Sequence, residues 1–121
     1  MELKQIYQEL VNLHEGFLGP LKVAKSTDIM KEYSGTIEVM QGKQKVSGHY
    51  FSSVMLKNKD VRFYFFPLYL NFDEFKLSES LRKQLKGKTC FHLKKIGDEE
   101  LDEINQMISL GLELMKKDKL I

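Results

Sequence analysis

The stretch HYFSSVMLKNKDVRFYFFP, residues 49–67, constrains the fold of this chain more than any other segment. Two runs of aromatic and β-branched residues, HYFSSVMLK and VRFYFF, flank the polar turn formers NKD. Two such runs separated by a short polar turn predict a β-hairpin. Pro67 has no backbone N–H to donate, so it marks the end of the second strand or an edge of the sheet. The middle of the chain is therefore predicted to be β-structure.

Amphipathic helices are predicted at both ends of the chain. Residues 2–15 place apolar side chains three and four positions apart, which makes one apolar stripe. Residues 98–117 do the same, with acids at their start and lysines at their end, as the helix dipole favours. A short helix is also predicted over residues 79–86, begun by Ser78 or Ser80.

Further β-strands are predicted on both sides of the hairpin. Residues 35–40 and 89–94 each read as one strand, and residues 22–33 are expected to add one or two more. Short turns between neighbouring strands favour antiparallel pairing. We therefore expect a single α+β domain over residues 1–121. Its two layers are a mainly antiparallel sheet and, on one face, the N- and C-terminal helices.

Charge and composition argue against several classes of function. The formal net charge is +2, and the basic residues are spread among acids along the whole chain, so no nucleic-acid partner is expected. The longest apolar run, residues 63–70, is far shorter than the roughly 20 residues that span a membrane. One cysteine and an N-terminus without signal character predict a cytoplasmic protein with no membrane partner. No phosphate-loop, dinucleotide-binding or zinc-protease motif is present, so no enzyme activity is predicted.

The strand predicted over residues 61–66 is apolar on both faces. One face carries Val61, Phe63 and Phe65, and the other carries Tyr64 and Phe66. A half-exposed strand is ordinarily polar on its outer face. Either a loop or the short helix covers this second face, or the face lines an aromatic pocket with a few polar groups. The candidate ligand-binding residues, for a small ligand or a protein partner, are Arg62, Tyr64, Phe66, Tyr69, Cys90 and His92.

Cys90 and His92 occupy alternate positions of a predicted strand, so both side chains are expected on one face, with Phe91 and Leu93 toward the helices. A Cys–His nucleophile needs hydrogen-bond contact and a group that orients the imidazole. A zinc site needs about two further ligands. The sequence supplies no motif for either, and a cysteine packed in the sheet is the preferred interpretation.

The last helix carries two further candidate features. Asp98, Glu99 and Asp102 are candidate metal ligands, although acids in a first helical turn are also explained by the helix dipole. A second apolar stripe lies roughly 100° around the helix from the core-facing one. It is either part of a wide buried face or the interface of a homodimer. Its residues are Met107, Leu110 and Leu114.

The second half of the chain resembles the YdhG-like family of small bacterial proteins of unknown function. The segment Phe65-Phe66-Pro67-Leu68-Tyr69 matches the family's aromatic strand ending in Phe-x-Pro-x-Tyr. The segment KGKTCFH, residues 86–92, matches its Lys-Gly-Lys-Ser-Cys-Phe strand, with Thr89 in place of Ser. The resemblance implies an antiparallel α+β fold similar to frataxin-like folds. Some members of the family are described as intracellular iron chaperones.

Three functions are consistent with these observations. The first is a binding protein that uses the aromatic face of the sheet for a small ligand or a protein partner. The second, implied by the resemblance, is an iron chaperone whose ligands come from the acidic turn of the last helix, with iron as its one candidate cofactor. The third is a homodimeric interaction module.

Overall fold

The computed structural model describes all of residues 1–121, and the chain forms four α-helices, one 3-10 turn and eight β-strands. The helices are α1 Leu3–Glu15, α2 Pro67–Asn71, α3 Glu79–Gln84 and α4 Asp98–Lys117, and the 3-10 turn is Phe72–Glu74. The strands are β1 Lys22–Thr27, β2 Met30–Ser34, β3 Val39–Gln41, β4 Gln44–Val46, β5 Tyr50–Leu56, β6 Val61–Phe65, β7 Leu85–Lys86 and β8 Cys90–Leu93.

Six strands form one sheet in the order β1-β2-β5-β6-β8-β7, and every neighbouring pair is antiparallel. The strands β3 and β4 form a separate hairpin. Helices α1 and α4 pack together and α1 contacts β5 and β6. The predicted α+β fold with an antiparallel sheet and terminal helices on one face is therefore confirmed. No helix has the length and apolar character needed to cross a membrane.

The covered face of the sheet, which packs against the helices, carries the core of the protein. Val61, Phe63 and Phe65 of β6 are fully buried, whereas Arg62 and Tyr64 between them are half-buried. Strand β8 repeats the alternation in register with β6, so its buried residues face the helices as predicted. The apolar stripes of α1 and α4 complete a single cluster of 24 buried hydrophobic residues.

The hairpin β3–β4 corrects the prediction of a strand over residues 35–40. Residues 35–38 form no strand, and Ile37 is 45% exposed. The reason is a close crossing of the chain at the base of the hairpin, where a Cβ on Gly48 would overlap the carbonyl oxygen of Gly35. Only glycine permits this approach at position 48, and the segment between β2 and β5 forms a separate hairpin instead of extending the sheet.

The structure differs from the sequence prediction at two other points. Helix α2, which begins at Pro67, was not predicted, although proline is favoured at the first position of a helix. The predicted short helix ends at Gln84, and the next two residues form β7 at the sheet edge. Its predicted start is confirmed, because Ser78 Oγ accepts a hydrogen bond from Leu81 N at 3.3 Å.

Candidate functional site

The open face of the sheet, opposite the helices, brings together four of the six predicted ligand-binding residues. Strands β6 and β8 pair so that Arg62 lies opposite His92 and Tyr64 lies opposite Cys90. All four side chains are half-buried. Cross-strand neighbours of this kind have Cβ atoms roughly 5 Å apart, so the four side chains form one contiguous patch.

The other two predicted residues lie beyond the end of β6. Phe66 immediately precedes α2, and Tyr69 lies on α2 with 61% of its surface exposed. Their rings stack at 5.7 Å, and Phe66 meets the ring of Tyr50 edge-on at 6.2 Å. Tyr69 lines a separate depression with Leu68, Phe72, Leu85, Gly87 and Lys88, which His92 does not reach. Phe66 therefore links the open face to Tyr69, and the six residues form no single concavity.

A buried carboxylate organises the polar end of the patch. Asp60 closes the turn between β5 and β6 and is 5% exposed. Its Oδ1 accepts a hydrogen bond from Arg62 Nε at 3.0 Å, and its Oδ2 lies 3.7 Å from His92 Nδ1. The hydrogen bond to Asp60 raises the pKa of the Arg62 guanidinium above its usual value. This contact uses Nε, and the Tyr64 side chain is a further neighbour of the guanidinium.

Cys90 has the environment of a packed thiol. Burial raises the pKa of Cys90, although the Tyr64 hydroxyl and the Arg62 charge oppose that shift. Its Sγ contacts the carbonyl of Phe91 at 3.8 Å, and no hydrogen bond joins it to His92. Since the thiolate is the reactive form, a raised pKa disfavours nucleophilic chemistry at neutral pH.

The hairpin β3–β4 encloses a cleft on the same open face, which the sequence did not reveal. The cleft has a volume of about 560 Å³ and lies between the hairpin and strands β1, β2 and β5. The Gln41 side chain of the hairpin accepts a hydrogen bond from Tyr50 N at 2.9 Å, which ties the hairpin to the sheet. The lining residues are Lys22, Val23, Ala24, Glu32, Ser34, Gln41, Val46, Ser47, Gly48 and Tyr50.

Tyr50 connects this cleft to the patch around Tyr64. Its hydroxyl hydrogen-bonds Ser53 Oγ at 2.7 Å, and burial raises its pKa to about 12, with the hydrogen bond to Ser53 opposing that shift. The register of β2 and β5 shifts at Phe51, so Tyr50 and Ser53 share a face despite being three positions apart. This irregularity breaks the alternation that would otherwise have identified Tyr50.

The candidate metal ligands lie on the exposed first turn of α4. Asp98, Glu99 and Asp102 are all exposed, and the Glu100 side chain of the same turn accepts a hydrogen bond from Gly97 N at 2.9 Å. No group of three or more His, Cys, Asp or Glu side chains is arranged to hold a metal ion. Iron binding stays a prediction of the family resemblance, and the visible role of this turn is to begin α4.

The second apolar stripe of α4 divides between the core and the surface. Met107 is 5% exposed and belongs to the core, whereas Leu110 and Leu114 are half-buried and pack against it. Met107 and Leu110 line a groove of about 230 Å³ together with Phe75 and Leu77. Of the predicted interface residues, Leu110 and Leu114 therefore keep surface that a second copy of the chain would contact.

No protein-family model matches the chain, and comparisons with curated proteins and with solved structures give no match either. The resemblance to the YdhG-like family therefore stays a prediction, and the functional argument depends on the geometry of the open face.

Proposed function

We propose that this protein is a non-catalytic binding protein whose small-molecule ligand lies on the open face of the sheet. The arrangement around Asp60 carries the proposal. This carboxylate is buried, holds Arg62 at 3.0 Å and lies beside His92, and both partners are half-buried. A buried ion pair adds little net stability compared with apolar residues of similar volume. The arrangement is therefore better explained by the orientation of Arg62 and His92 toward a ligand.

The rest of the face supports the same function. Tyr64 adjoins Arg62 and offers an aromatic surface, and Tyr50 leads from it to the cleft under the hairpin. The cleft volume of about 560 Å³ lies within the range of roughly 300–1,000 Å³ that is typical of small-molecule sites. A ligand with a planar apolar part over the tyrosines and a polar group near Arg62 fits this distribution of side chains.

The test is a thermal-unfolding screen of the full chain against a library of small metabolites, with iron(II) under anaerobic conditions as one member. A ligand that binds only the native state adds roughly 2.7 kcal/mol at 100 times its Kd. The proposal expects stabilisation by one class of metabolite. In ¹H–¹⁵N spectra, that ligand shifts the amide signals of β5, β6 and β8 and leaves those of α1 unchanged.

The two arginines of the chain provide a matched pair of variants. Arg62→Met removes the guanidinium from the open face, whereas Arg82→Met removes it from the exposed surface of α3. We expect the first variant to weaken binding at least tenfold and the second to leave it unchanged. If Arg62→Met folds poorly, the spectra of the wild-type protein still locate the ligand. Stabilisation by iron(II) alone, or shifts centred on α4, would refute the proposal.

A further inference from the structure

The open face ends in a basic depression where β8 meets β7 and α3. The depression has a volume of about 180 Å³ and is lined by Asp60, Lys83, Gln84, Lys86, His92 and Lys94. A second, adjoining depression is lined by Lys83, Lys94 and Lys95 together with Glu79, Ser80 and Gln84. Four lysines and one histidine therefore gather at one end of the sheet, although the whole chain has a net charge of only +2.

The carboxylates near the depression pair with only one of these four lysines. Asp60 is engaged with Arg62 at 3.0 Å, and Glu79 pairs with Lys83 at 3.2 Å. Lys86 and Lys94 form no ion pair within the chain. Like charges that gather in one place repel one another and attract anions into the space between them.

The backbone that carries these lysines is held in place by hydrogen bonds. Gln84 Oε1 accepts a hydrogen bond from Lys94 N at 3.1 Å, and Gln84 Nε2 donates to the carbonyl of Lys95 at 3.3 Å. Strand β7 places Lys86 opposite Cys90 of β8. The backbone positions of Lys86, Lys94 and Lys95 are therefore fixed relative to His92 at this edge of the sheet.

We propose that the ligand of the open face carries a phosphate group that lies in this depression, between Lys86, Lys94 and His92. This inference depends on the proposed function and names the chemical class of its ligand. A phosphate monoester carries a charge of about −1.5 to −2 at pH 7, and lysine binds phosphate as a point charge. The volume of about 180 Å³ suits a phosphate group more than a whole nucleotide. The organic part of the ligand then extends over Tyr64 toward the cleft.

The test titrates the full chain with inorganic phosphate and follows ¹H–¹⁵N spectra at constant ionic strength, with chloride as the reference anion. We expect saturable shifts of the amide signals of Lys86, His92 and Lys94 with phosphate and none with chloride. The double variant Lys86→Gln/Lys94→Gln should weaken phosphate binding at least tenfold. The control Lys116→Gln/Lys117→Gln removes the same charge from the exposed end of α4 and should have no effect.

Equal shifts with chloride, or equal weakening in both double variants, would show a general charge effect and overturn the inference. A response to single-stranded RNA without any to phosphate would also overturn it, since the site would then serve a polymer. The two proposals fail separately. If phosphate gives no response, but an uncharged metabolite binds and this binding depends on Arg62, only the inference of a phosphate group is refuted. Absence of every ligand response on the open face would refute both.

Discussion

The two faces of the six-stranded sheet are made by alternate residues of the same strands, yet they differ in chemistry and in packing. On β6 the covered face presents Val61, Phe63 and Phe65, all fully buried. The open face presents Arg62 and Tyr64, both half-buried, with Asp60 at its end. Because neighbours in one strand share backbone geometry, this difference comes from the side chains and from what each face packs against. The covered face stabilises the fold, and the open face displays groups that a core would not need.

Alanine substitutions at two adjacent residues give the largest expected contrast between the faces. Phe63 is fully buried and contacts the rings of His14, Phe65 and Phe91. Phe63→Ala is expected to cost about 3–5 kcal/mol of unfolding free energy, because it leaves a cavity in the core. Tyr64→Ala is expected to cost about 1 kcal/mol, the scale of cross-strand side-chain contacts.

Urea unfolding of both variants, monitored by circular dichroism, measures this contrast. Comparable losses at the two positions would mean that Tyr64 is a packing residue, and the open face would lose its functional interpretation. If Phe63→Ala fails to fold, Phe63→Leu provides a milder version of the same comparison.

The covered face could be predicted in part from the sequence, because burial on one side produces a regular pattern. The period of two in VRFYFF and the core-facing stripe of α4 assigned buried residues correctly, whereas the α1 stripe included the half-buried Leu13 and left out the buried Val11 and His14. The same alternation placed Arg62, Tyr64, Cys90 and His92 together, since a strand that buries one set of residues must display the other.

The other features of the open face depend on structural details that leave no periodic pattern in the sequence. Tyr50 was missed because the bulge at Phe51 shifts the alternation of β5 by one residue. The cleft was missed because the β3–β4 hairpin projects from the close approach of Gly35 and Gly48. The sequence indicates Asp60 only as a turn former, because His92 reaches it only through the pairing of β6 with β8. Bulges, crossings and register are tertiary properties, and local propensity does not encode them.

A change of pH tests the one buried imidazole on the covered face. His14 is fully buried; its Nδ1 donates to the carbonyl of Leu10 at 2.7 Å, and its Nε2 accepts from Ser52 Oγ at 2.8 Å. Its ring stacks on Tyr33 at 4.2 Å. Burial lowers the pKa of His14 from 6.5 to about 4, while the hydrogen bond to Leu10 opposes this shift. The folded protein therefore holds the neutral imidazole.

Because the unfolded chain binds this proton more readily, stability is expected to fall as the pH falls from 6.5 toward 4. At about 1.4 kcal/mol for each pKa unit, the contribution of His14 lost between pH 7.5 and 4.5 is about 2–3 kcal/mol. Urea unfolding of the wild type and His14→Gln across this range isolates the effect, since other titrating groups are common to both. A pH dependence that is the same in the two proteins would contradict the assignment.

The smallest effect comes from two tyrosine hydroxyls, one on each side of the sheet. The hydroxyl of Tyr7, on α1, is buried without a hydrogen-bond partner, whereas that of Tyr50 bonds Ser53 Oγ at 2.7 Å. A buried polar group without a partner costs roughly 1–3 kcal/mol, and a satisfied hydrogen bond contributes about 1 kcal/mol. Tyr7→Phe is therefore expected to raise the unfolding free energy by about 1 kcal/mol.

Tyr50→Phe is expected to lower the unfolding free energy by a similar amount, because Ser53 is 7% exposed and loses its partner. Each substitution removes a single oxygen atom. Changes in unfolding free energy of opposite sign would therefore show that the Tyr7 hydroxyl is unsatisfied in the core, whereas the Tyr50 hydroxyl is held by its hydrogen bond on the open face. Thermal and urea unfolding give both values. If Tyr50→Phe were neutral, the Tyr50–Ser53 contact would not fix the tyrosine at the cleft, and the proposed ligand path from Tyr64 to the cleft would lose its connecting residue.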